Sequence, residues 1–431
     1  MAVVKPFRGV TYAEELCEKE GVDSLVAPPY DVISEKRRKA LAGNPLNIVN
    51  VTLGHTENGY KEAASLFRSW LNRGILRRDE NPFIYIYEQE FRVNASHPLQ
   101  KRTGFVGLVR LEEFEKKIIM PHEKTMPKYS QDRLELLRAC EANLEQIFGI
   151  YNDASSTIDH LLEENKKTEA LLCQFTDFQD VTHRLWRIQD RTVESEIRHI
   201  MNPRTIVIAD GHHRYETSLL YRREVREQLG DPLEPVPADY VMMTLVNIKN
   251  PGLLALPTHR LVHGLSEETI RSFFSACEDY FSVNRFKNEE DMETFLGKSS
   301  GRTIGVYNKF TEEWGAITLK NDAVMDELLG AENVNRFLDT SILHELVLKR
   351  VLGLSEEMQA DNVDYLKGSK DVFAVARQEN HYQLVFVMRP TPLEEVERAV
   401  AHSQRMPQKS TYFYPKIWTG LVMRLLEGDT L

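Results

Sequence analysis

Asp210-Gly211-His212-His213-Arg214 packs an acid, a glycine, two imidazoles and a guanidinium into five consecutive positions. An arginine beside a glycine turn and a helix N-terminus meets what an anion requires: backbone N–H donors, a positive dipole end and a fixed cation. Four other stretches carry comparable groups. Pro121-His122-Glu123-Lys124-Thr125-Met126-Pro127-Lys128 holds a histidine, an acid, a lysine and a hydroxyl between two prolines, where rigid flanks can fix reactive groups. Glu123 is its candidate general base, a carboxylate near cations that can take a hydroxyl proton. Pro257-Thr258-His259-Arg260 ends an apolar run. Pro28-Pro29-Tyr30-Asp31 delivers Tyr30 and Asp31 toward a helix N-terminus, where they could line a pocket. Lys409-Ser410-Thr411-Tyr412-Phe413-Tyr414-Pro415-Lys416 alternates aromatics with hydroxyls; Lys409, Ser410 and Thr411 could meet phosphate oxygens and Tyr412 or Phe413 a base, the alternative being an edge strand. A metal held by Asp210, His212 and His213 is disfavoured, because adjacent histidines in a turn point apart and no second ligand set accompanies them.

These groups need elements to hold them. Thr205–Ala209 is a short apolar run, mostly β-branched, and reads as a strand buried on both faces. The helical pattern after it begins near Tyr215 and continues through Leu219, Leu220 and Val225. Tyr240–Ile248 is a second buried strand, and Leu253–Val262 a third that ends in polar groups. Were that third strand a sheet neighbour of the first, Thr258, His259 and Arg260 would converge on Asp210–Arg214, at the edge where α/β sheets bind ligands. Ser34 is the expected N-cap of a helix over 35–41, and a further helix spans 59–73. Phe83–Val93 pairs with Gly104–Leu111 in a hairpin or meander, and an amphipathic helix runs through Leu134, Leu137, Leu144 and Ile147. His97, His183 and His199 lie apart from other reactive groups and read as loop or structural histidines. Beyond Ser266 acidic helices alternate with strands at 303–307, 314–319, 372–376 and 382–387, an α+β lobe.

A chain of 431 residues, 42% hydrophobic, is long enough for two or three domains. The formal charge of −11 and the lack of a Lys/Arg stripe oppose nucleic acid as a partner. Cys17, Cys140, Cys173 and Cys277 have neither disulfide-framework nor zinc spacing. With no apolar leader and no membrane-length run, the expectation is a cytoplasmic protein without a membrane partner. GxSxG, GxGxxG and GxxxxGK[ST] are all missing, which disfavours acyl-enzyme chemistry and leaves neither a Rossmann nor a Walker site encoded. Phosphoryl transfer fits better than a metal cage, needing anion donors, a base and Mg²⁺ carried largely by phosphates.

PPYDVIS, HEKTMPK with QDRLELLRACEANLEQIFGIY, ADGHHRYETS, LPTHR and MPQKSTYFYPK, in this order, resemble the bacterial and archaeal domain-of-unknown-function family 1015. The resemblance implies an α+β chain with a ParB/sulfiredoxin-like core and additional α/β lobes at both ends: an N-terminal region 1–115, a core 116–262 and a C-terminal lobe 263–431. GHHRYE is similar to the Gly-Cys-His-Arg-Tyr turn with which sulfiredoxins bind nucleotide phosphate, with His212 standing at the cysteine. Asp210-Gly211-His212 is similar to a turn of the ADP-dependent free serine kinase. The implied activity is a phosphotransferase acting on free L-serine or O-phospho-L-serine, in either direction, with ADP/ATP and Mg²⁺. Asp210, Gly211, His212, His213 and Arg214 would bind phosphate and orient the transfer, with Thr258, His259, Arg260, Lys409, Ser410 and Thr411 as further phosphate or nucleotide contacts. Tyr30, Asp31, His122 and Thr125 would meet substrate, and Glu123 would be the base, with Asp31 in reserve. A phosphoserine phosphatase and a non-catalytic ParB-like nucleotide- or DNA-binding regulator are the alternatives. Arg214→Ala is expected to remove activity with the fold intact.

Overall fold

The computed structural model describes residues 1–54, 60–94, 97–123, 130–299, 301–368 and 372–429. It is an α+β chain of two compact units: Met1–Pro121 with Thr125–Leu254 and Pro415–Leu431, and His122–Lys124 with Ala255–Tyr414. Among the described residues no helix is long and apolar enough to cross a membrane.

The first unit is built on a nine-stranded sheet. Its main path runs 119–121, 206–210, 147–151, 240–247, 100–110, 84–91, 182–188 and 171–176, so strands from either side of residue 115 share it. Pairing is antiparallel except where Ile206–Asp210 meets Ile119–Pro121 and Tyr240–Asn247 meets Ile147–Tyr151. Because strand side chains alternate between faces, Ile84, Ile86, Phe105, Val109, Ile206, Ile208, Val241 and Met243 fall on one apolar face. Helices 157–165, 191–201 and 212–228 cover it with Ile158, Leu162, Ile197, Met201, Tyr215 and Leu219. Gly149 makes room for side chains packed over it: a Cβ there would lie 2.7–2.8 Å from side-chain atoms of Leu245, Ile206 and Met243.

The opposite alternation carries buried polar groups. The buried His183 sits between the Tyr87 hydroxyl (2.8 Å) and Asp177 (3.1 Å), the structural histidine expected from its isolation. Arg102, also buried, reaches Gln89 and the Pro415 carbonyl, and Gln89 Nε2 donates to Lys416 O at 2.8 Å. These bonds pin the returning 415–416 segment onto the sheet.

The second unit holds an antiparallel six-stranded sheet in the order 281–286, 313–319, 303–308, 384–387, 258–262, 363–367. Alternation again divides its apolar residues. Val262, Ile304, Val306 and Phe386 pack with helix 267–277 and the 343–351 segment, whereas Leu261, Tyr307, Val385 and Val387 pack with helices 289–298 and 372–378.

Several sequence expectations change here. The helix after the Asp210 turn starts at His212, not near Tyr215. The helix over 130–140 stops at Cys140, and Ile147 opens a strand. Val372–Gln378 is a helix, because a short apolar run without a clear period fits either element. The run 253–262 breaks at Pro257 into 254–256 and 258–262. Thr258–Val262 then pairs with 363–367 and 384–387 in the second unit's sheet, so it is no sheet neighbour of Ile206–Asp210.

Candidate functional site

In the first unit the strand Ile206–Asp210 ends in a register shift between Ile208 and Asp210, an irregularity that re-aims the carboxylate. Gly211 follows in the left-handed region at φ 88° and caps the helix His212–Gln228. Any side chain at Gly211 would strain that conformation, and its Cβ would meet the Arg214 guanidinium at 3.0 Å. His212, His213 and Arg214 therefore form the first helical turn, whose N–H groups lie outside the helical ladder that begins with Tyr215 N–H to Gly211 O. His213 Nδ1 lies 3.9 Å from Glu216.

Asp210 is held from both sides. Lys416 pairs with Oδ1, and Arg214 Nη2 donates to Oδ2 at 2.8 Å. Arg214 also donates to the Gln146 carbonyl, and its Nε lies 3.8 Å from Glu145. Burial works against the Arg214 charge, but Glu145, Asp210, Tyr30 and Asp31 outweigh it and raise its pKa. Glu145 Oε1 accepts from Tyr30 N at 3.3 Å and Thr419 Oγ1 at 3.2 Å. Arg133 stacks 4.5 Å over the Tyr30 ring and donates to the Tyr60 hydroxyl at 2.8 Å. Burial pushes the Tyr30 phenol above its ordinary pKa despite Arg214 nearby. Arg133, Glu145, Arg214 and Ser218 line one shallow cavity.

Expected Tyr30, Asp31 and Asp210–Arg214 thus belong to one unit, with electrostatic coupling of Arg214 to both Tyr30 and Asp31. Arg133, Glu145 and Lys416 join them without having been singled out as site residues. Signals existed: Lys416 closes the aromatic and hydroxyl stretch, and Arg133 and Glu145 stand in the QDRLELLRACEANLEQIFGIY segment. The arrangement suits an anion through the turn and helix start, with Lys416 as the cation beside it. It does not suit a metal held by Asp210, whose oxygens already face two cations. Burial pushes the Cys17 thiol up to about 11 and those of Cys140 and Cys173 up to about 12, away from the thiolate form.

The second unit assembles the other expected residues. Glu123 Oε1 accepts from Thr411 N at 3.0 Å and Thr411 Oγ1 at 3.1 Å, and Oε2 from Lys409 N at 3.2 Å. His122, buried, lies 2.7 Å from Thr411 Oγ1 and edge-on to Phe413. Ser410 Oγ donates to Pro407 O at 2.6 Å, and Arg260 Nη2 to Lys409 O at 3.0 Å. Thr258, His259, Arg260 and Ser410 are all buried. Burial brings His259 down to about 4 and Arg260 down to about 10. Thr125 lies outside the described residues, with the rest of the 124–129 stretch.

A family model described as protein of unknown function (DUF1015) matches residues 4–341. The chain belongs to that family. No curated protein matches it. Among solved structures, this DUF1015 member is similar to a conserved hypothetical protein from Pyrococcus furiosus at 14% identity, over 72% of this chain and 91% of that one, with a TM-score of 0.34. A free serine kinase in complex with AMP is similar at 13% identity over 74% and 92%, with a TM-score of 0.35. SbnI with C-terminal truncation from Staphylococcus aureus is similar at 11% identity over 75% and 89%, with a TM-score of 0.36. At such identities and scores these likenesses assign no activity to the DUF1015 chain.

Proposed function

We propose that the protein is a phosphotransferase that moves a phosphoryl group between a nucleotide and free L-serine, and that its core is ParB/sulfiredoxin-like. The observation that carries this reading is the Asp210 turn. A strand delivers its carboxylate between two cations, a left-handed glycine follows, and a 17-residue helix starts at once. That geometry presents first-turn amides and the positive helix end to a phosphate, while Arg214 and Lys416 fix the turn. Asp210 serves here as the anchor of those cations. Mg²⁺ enters as the phosphate complex of the nucleotide, as substrate, and needs no carboxylate from the turn.

The reading rests on the first unit. Glu123 as the group that takes the serine hydroxyl proton is a separate proposal with its own test.

The experiment is to incubate the protein with Mg²⁺ and O-phosphoserine, with and without ADP, and to follow ATP, serine and free phosphate. ATP formed only with ADP supports the transferase. Free phosphate formed without ADP replaces it with a phosphatase. If neither appears, and mixtures of serine with ATP and of serine with ADP yield no phosphoserine, the reading fails.

A further inference from the structure

His263, Asp364 and His381 bring one donor atom each to within 4.8 Å of one another. They come from three adjacent pieces of the second unit. His263 follows the strand Thr258–Val262, Asp364 lies in the neighbouring strand opposite Leu261, and His381 stands just before the strand Leu384–Val387 on the other side. Backbone bonds from His263 N to Asn362 O (3.0 Å) and Gln383 N to Val262 O (2.8 Å) tie the three pieces together at that edge.

The donors are oriented as well as close. His263 Nε2 lies 3.6 Å from Asp364 Oδ2, and Tyr382 donates its hydroxyl to the same oxygen at 2.9 Å. The two imidazoles meet edge to face with centroids 5.3 Å apart, and Tyr382 packs against both. Glu379 lies 4.0 Å from His381 Nδ1, close enough to favour a positive charge at this edge but beyond hydrogen-bond reach. A metal-bound carboxylate commonly has an outer hydrogen-bond partner like Tyr382. Ligand atoms around tetrahedral zinc stand about 3.3 Å apart, following from bonds of about 2 Å. The His263–Asp364 pair is nearly at that spacing. Asp364 and His381 have side chains 54% and 51% exposed, so small rotations close the rest.

We propose that His263, Asp364 and His381 form a divalent-cation site of Zn²⁺ type, with two imidazoles, one carboxylate and a fourth position open to water. Its cation ties the ends of strands 258–262, 363–367 and 384–387. The imidazole pair selects a borderline metal over Mg²⁺ or Ca²⁺, which take oxygen ligands.

The test is titration of the full-length, metal-stripped protein with Zn²⁺ by calorimetry, and with Co²⁺ by visible absorption. His381→Ala and Asp364→Asn run beside it, each checked for folding by circular dichroism. The expected result is one tight equivalent in the wild type, a Co²⁺ spectrum of low coordination number, and binding at least about tenfold weaker in each variant. Zn²⁺ should raise the melting temperature of the wild type and not of His381→Ala. Absence of binding to the wild type, or affinity unchanged in both variants, overturns the site. None of these readings depends on phosphoryl transfer.

Discussion

Asp210 and Lys416 stand 206 positions apart in sequence and form an ion pair in the first unit. Gln89 and Arg102 hold the 415–416 backbone, so the lysine is placed by the sheet rather than by its own loop. Lys416→Ala leaves Asp210 its bond from Arg214 but removes the second cation. On the proposed function, affinity for ADP should fall about tenfold or more, the size of one hydrogen bond to a charged group. Calorimetric titration of nucleotide into wild type and variant reads this directly; equal affinities would remove Lys416 from the anion site.

Gly211→Ala should cost about 1–2 kcal/mol for a non-glycine residue at φ 88°, before the contact with Arg214 is relieved. The loss is read as a shift in the denaturant midpoint. Nucleotide binding should suffer more than stability, because relief of the strain tilts the helix start on which the proposed phosphate contact depends.

Arg214 changes meaning between sequence and structure. Read from the sequence it is a ligand-facing cation whose removal spares the fold. In the structure it is 12% exposed and joined to Asp210, Gln146 O and Glu145. Arg214→Ala should therefore lower stability by about 1–3 kcal/mol, the size of a lost hydrogen bond to a charged group, with Lys416 still pairing Asp210. Thermal melting checks this, and a variant melting like the wild type would return Arg214 to a purely ligand-facing role.

Glu123→Gln separates a base from a clamp. As a base, its loss should slow turnover about 10²–10⁴-fold. As a clamp for the 409–411 segment alone, the amide keeps an oxygen for Thr411 N–H, and turnover should be nearly unchanged while melting shifts. Thr411→Val, which deletes a hydroxyl donor to Glu123, should change melting in either case.

The Asp210 turn was legible because its signals are local: an apolar β-branched run, then a glycine, then a helical period. The hairpin 84–91 with 100–110 and the Ser34 cap were legible for the same reason. Thr258-His259-Arg260 misled because sequence reports a polar end to an apolar run but not which sheet receives the strand. Pro257 marked the break; the partners 363–367 and 384–387 lie about a hundred residues on and leave no local trace. Lys416 and Glu145 were missed as site residues for that reason too, since long-range ion pairs have no spacing rule. His263, Asp364 and His381 come together only through strand pairing.

His259 gives the second unit a pH dependence. Its Nδ1 accepts the Met388 N–H at 3.1 Å, which requires the neutral ring, and burial beside Arg260 brings its pKa down to about 4. The unfolded chain protonates near 6.5. Between those values the unfolded state binds more protons, so stability rises with pH across the interval. The contribution is whole above pH 6.5 and is lost as pH falls toward 4, amounting to roughly 3 kcal/mol at most. His344, brought down to about 3 by burial and Arg260, acts with the same sign. His259→Asn keeps an acceptor for Met388 but cannot titrate. Its unfolding free energy between pH 4 and 6.5 should therefore fall less steeply with acid than the wild type's, and His259→Asn with His344→Gln less steeply still. Parallel curves for all three proteins would show that the fold does not hold these imidazoles neutral.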